Sequence, residues 1–77
     1  MRTKVIPGQK YYLKENAEVK RVLHNARLTA QKDGYDQIVY EDEPGSVAYC
    51  RASLFGSWSY QAEDKIIAKV FIAFGND

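Results

Sequence analysis

The sequence predicts an α+β domain in which one amphipathic helix packs on a small, mostly antiparallel sheet of four or five strands, in the order hairpin, helix, meander. Three observations predict it. One stretch, residues 17–33, repeats apolar side chains at helical spacing. The remainder is cut into short β-branched and aromatic runs. The cuts include two Pro-Gly pairs, Pro7-Gly8 and Pro44-Gly45. At 77 residues, with 45% apolar, 13% aromatic and 27% charged side chains, the chain has the composition of a folded protein and the length for one core. No repeat, linker or low-complexity tract divides it, so 1–77 is read as a single domain.

Taken in order, Thr3 to Ile6 and Lys10 to Leu13 flank Pro7-Gly8 and read as a short hairpin. Pro presets φ at the first central turn position and Gly tolerates positive φ at the second. Asn16 then offers an N-cap to a helix from Ala17 to about Asp33. With Val19 set at zero and about 100° per residue, Val22, Leu23, Ala26 and Ala30 lie on one face. Gly34 closes the helix. Tyr35 to Asp42 and Val47 to Phe55 form the next hairpin around Pro44-Gly45. Its second strand puts Ala48, Cys50, Ala52 and Leu54 on one face, small enough to admit the helix through Ala26 and Ala30. Lys65 to Phe74 reads as a buried strand with apolar residues on both faces. The alternative is a second, C-terminal helix started by Ser59, Glu63 and Asp64 and ended by Gly75. As a strand, its second face calls for a cover, which the N-terminal hairpin, a target or a homodimer would supply.

Charge is unevenly spread. Residues 1–32 carry eight Lys or Arg against two Glu, and residues 33–77 carry three against eight carboxylates. On the helix, Lys20, Arg21, His24, Arg27 and Lys32 populate the side away from the apolar stripe, and Leu28 falls among them at about 180° from Val19. An apolar anchor ringed by cations suits an acidic protein partner.

Catalytic equipment is sparse. The one histidine, His24, and the one cysteine, Cys50, form a nucleophile-base pair only if the fold brings them together. Glu41, Asp42, Glu43 and Asp36 are the densest carboxylates, but their spacing matches no calcium loop and reads as a solvated hairpin tip. The five glycines stand apart, without a phosphate-cradling motif. The expectation is therefore no enzyme, no cofactor and no metal. With a lone cysteine and no signal-like or membrane-length apolar run, the expectation is a cytoplasmic chain away from membranes. The leading functional expectation is a protein-binding, inhibitory or accessory factor using Lys20, Arg21, His24, Arg27, Leu28 and Lys32. The alternative is a nucleic-acid binder, with Lys4, Lys10 and Lys14 on phosphates and Tyr11 and Tyr12 stacking on bases.

Overall fold

The computed structural model describes residues 2–10, 17–56 and 61–73. They form one helix, α1 (Ala17–Asp33), and four strands, β1 (Arg2–Pro7), β2 (Gln37–Glu43), β3 (Ser46–Arg51) and β4 (Ile66–Ala73). The strands make one antiparallel sheet in the order β1-β4-β2-β3. The last strand therefore runs between the first and second.

α1 has the predicted bounds. Val19, Val22, Ala26 and Ala30 are buried and pack with Val39, Ile67, Ala68 and Val70 of the sheet, edged by Val5, Leu23, Val47, Tyr49 and Ile72. The Gly34 N–H returns to the Ala30 carbonyl at 2.8 Å and closes the helix. Asn16, the expected N-cap, lies outside the described residues. The β2–β3 turn also forms as read, because Gly45 supplies the positive φ (81°) that the position after Pro44 requires.

The chain does not reverse at Pro7-Gly8. β1 pairs with β4, from Arg2 opposite Ala73 to Pro7 opposite Ala68, and the chain continues along β4 with Gly8 N–H bonded to the Ile67 carbonyl and Lys10 N–H to that of Ile66. Residues 11–13, the rest of the expected second arm, lie outside the described residues. Gly8 does not adopt a positive φ. Its role is space, since a Cβ there would sit 2.4 Å from the Ile66 carbonyl oxygen.

The C-terminal apolar run is a strand over Ile66–Ala73, preceded among the described residues by a short 3₁₀ turn at Glu63–Lys65. β-branched residues buried on both sides favour a central strand over a helix. Its faces do not follow strict alternation. Val39 pairs with Ala68 while Tyr40 pairs with Ile66, so Ile67 is an inserted residue. Ile67, Ala68 and Val70 consequently join the core under α1, with Ile72 packed against it, whereas Ile66 joins a second cluster with Ile38 and Tyr40.

That second cluster corrects the reading of β3. Ala48, Cys50 and Ala52 pack against it, and the neighbours of the helical core are instead Val47 and Tyr49. The strand is also shorter than expected. β2 begins at Gln37, so after the Ala52 N–H reaches the Asp36 carbonyl there is no further partner strand. Residues 52–54 turn, and Phe55 packs edge-on against Tyr40, their ring centres 5.4 Å apart. This segment supplies part of the cover that the second sheet face requires. No described helix is long and apolar enough to cross a membrane.

Candidate functional site

Two polar ties fix the roll of α1 on the sheet. On the β1 side the Arg27 Nε donates to the Thr3 hydroxyl at 3.0 Å. On the β3 side the Thr29 and Tyr49 hydroxyls are 3.0 Å apart and share a hydrogen bond. Between these flanks, the helix turns Leu28 outward, where it remains 52% exposed. Arg21, His24 and Lys32 lie one or two helical turns from Leu28 on the same stripe, and all are exposed. Lys20 and Arg27 are exposed on the flank facing β1.

The cations on this face are weakly compensated. Arg21 reaches the Glu18 carboxylate at 3.8 Å, at the long end of ion pairing, with the Arg21 side chain largely and the Glu18 side chain partly in water. Among the described residues no ion pair joins Lys20, Arg27 or Lys32 to a carboxylate. The six residues singled out from the sequence thus share one exposed helix surface, with Arg27 also serving as a tie to β1.

The N-terminal set is arranged differently. Thr3 and Val5 point toward α1, so Lys4, between them, projects from the opposite side of the sheet. Lys10 is engaged by Glu41 at 3.0 Å. Tyr11, Tyr12 and Lys14 lie outside the described residues. Lys4 and the helix cations do not share a surface.

His24 and Cys50 are not brought together. His24 is exposed on the outer side of α1, while Cys50 packs on the sheet face turned away from the helix. Burial pushes the Cys50 thiol up from its ordinary range, so it stays protonated at neutral pH. At the hairpin tip Glu41 is held below the usual carboxylate range, first by the Lys10 hydrogen bond and then by the Gly45 N–H. Among the described residues no group of three His, Cys, Asp or Glu is placed to hold a metal ion.

Several interactions had no signal in the sequence. Gln61 is buried below the second cluster; its amide nitrogen donates to the Tyr40 hydroxyl at 3.1 Å and its oxygen accepts from the Gly56 N–H at 2.9 Å. Beyond the end of α1, the Arg51 guanidinium lies 4.0 Å above the ring of Tyr35, a cation-π contact between residues far apart in the chain. No family model, curated protein or solved structure matches this chain.

Proposed function

We propose that this chain is a non-enzymatic binding module, an inhibitory or accessory factor that docks an acidic protein on the outer face of α1. The observation that carries the reading is Leu28, 52% exposed amid Arg21, His24 and Lys32 on a helix whose apolar needs are already met on its other side. Exposed cations draw an acidic partner in and set its orientation, while desolvation of a central aliphatic side chain supplies the anchor. The separation of His24 from Cys50 by the sheet favours binding over nucleophilic catalysis.

The test is affinity capture by the full chain from its native host, with nuclease-treated lysate, followed by binding measurements on the recovered acidic protein. Leu28→Ala and Lys32→Glu replace exposed residues, so stability should change by less than about 0.5 kcal/mol. Together they should weaken binding at least about tenfold. Unchanged affinity in the double variant removes the helix face from the mechanism. Capture that disappears on nuclease treatment gives the role to nucleic acid instead.

A further inference from the structure

Arg27 is a cation of the outer α1 surface that is held near its base. Its Nε–H donates to the Thr3 hydroxyl at 3.0 Å across the boundary between α1 and β1, and Thr3 is half-buried. A guanidinium is a flat fork of N–H donors, so a bond at Nε restrains the plane of the whole group. The donors on the two Nη groups remain at the far end of an exposed side chain, and among the described residues no carboxylate pairs with them.

The helix itself offers no answering charge. Side chains on one helix meet at spacings of three and four, as Glu18 meets Arg21. At those spacings from Arg27 stand Leu23, His24, Ala30 and Gln31. Lys20 and Lys32 are different donors: each carries a compact ammonium on a flexible stem, without a planar fork to aim.

We propose that Arg27 is the residue of this face that recognises a carboxylate of the docked acidic protein, its two Nη groups gripping both oxygens of one Glu or Asp side chain while Thr3 aims it. The assignment rests on the acidic-partner reading of α1 and names the contact that gives that face its selectivity. A fork already aimed gives up little rotamer freedom on binding, and paired N–H···O bonds match a carboxylate as a single ammonium does not. A protein carboxylate fits this place better than a nucleic-acid backbone. Leu28, the next residue, is 52% exposed and calls for an apolar neighbour beside the anion. The other Lys on the same flank, Lys20, lies two turns or about 10 Å along the helix, too sparse a row for closely spaced phosphates.

Proton–nitrogen NMR of the full chain, observing the Arg27 guanidinium, tests the assignment. The probe is a capped heptapeptide of six glutamates around a central leucine. Up to about 10 mM of it should shift the Arg27 side-chain resonances, and the glutamine version should not. Arg27→Lys, which keeps the charge and loses the fork, should weaken peptide binding about tenfold. Thr3→Val should weaken it about threefold, whereas Thr3→Ser, which retains the hydroxyl, should stay within about 1.5-fold of the parent. Leu28→Ala separates this inference from the reading beneath it. If that variant loses affinity while Arg27→Lys keeps it, the face docks its partner without the fork; if neither changes, the face itself is refuted. Dispersed amide spectra show that the variants fold. Arg27 resonances that stay still, parental affinity in Arg27→Lys or Thr3→Val, Thr3→Ser as weak as Thr3→Val, or larger Arg27 shifts with a thymidine oligonucleotide than with the peptide overturns the proposal.

Discussion

Replacing Gly8 with alanine measures how tightly β1 is held against β4. In an ordinary strand the exchange is favourable by about 0.5–1 kcal/mol, because alanine loses less backbone freedom on folding. Here the added Cβ would lie 2.4 Å from the Ile66 carbonyl oxygen and 2.8 Å from its carbon, where ordinary contact begins at 3.4 Å. These are backbone atoms, so no side-chain rotation relieves the overlap. Moving the strands apart by about 0.6 Å stretches the Gly8–Ile67 and Lys10–Ile66 hydrogen bonds, now 2.8 and 2.9 Å, to the limit of useful geometry. Two bonds at about 1 kcal/mol each, together with residual strain of about 1 kcal/mol or more, outweigh the entropic gain and leave a loss of about 2–3 kcal/mol. The whole domain has only about 4–12 kcal/mol to lose. At about 4–8 °C per kcal/mol in a chain of this length, Tm should fall by about 10–20 °C in a calorimetric or circular-dichroism melt. Gly8 does not have a positive φ, so a loss reports the contact alone. A Tm within about 2 °C of the parent would refute the close approach of the two strands.

Two other perturbations probe the polar interior and the hairpin tip. Gln61→Leu leaves the Tyr40 hydroxyl and the Gly56 N–H without their partner and should cost about 1–3 kcal/mol in urea denaturation, with an unchanged m-value. The Glu41 carboxyl titrates lower in the folded chain than its ordinary 4.5 because Lys10 and the Gly45 N–H favour the anion. Its contribution to stability is therefore present above about 4.5 and is lost as pH falls through the depressed folded value. Denaturation curves between about pH 2 and 7 should show this loss in the parent, and Lys10→Met should flatten it.

Local patterns in the sequence were legible and long-range pairings were not. The bounds of α1 follow from the spacing of Val19, Val22, Ala26 and Ala30 and from the following Gly34, and the β2–β3 turn follows from Pro44-Gly45. Each is decided within a few residues. Alternation along β3 correctly separates Val47 and Tyr49 from Ala48 and Cys50, but it cannot say which set meets the helix when both faces of the sheet are covered. The partner of β1 lies 61 to 71 residues away, from Pro7 with Ala68 to Arg2 with Ala73, so Pro7-Gly8 reads as a local reversal when it marks a crowded crossing. The inserted Ile67 is likewise invisible in a run that is apolar at nearly every position. In the candidate site, helical spacing alone put Leu28 outside among cations. The Lys10–Glu41 ion pair and the placement of Lys4 across the sheet depend on tertiary arrangement, and no spacing rule gives them.

The alanines at the centre of the helix have a consequence for how this surface can change. Ala26 and Ala30 fit against the sheet with almost no protruding shape, so they let the helix come near without keying its rotation. Val19 and Val22 key the first turns of the helix, and along the alanine stretch its orientation rests on the hydroxyls of Thr3, Thr29 and Tyr49 at the rim. Substitutions at those rim positions can therefore re-aim the exposed stripe by a few degrees while the oily interior stays intact. New binding preferences become accessible without rebuilding the protein.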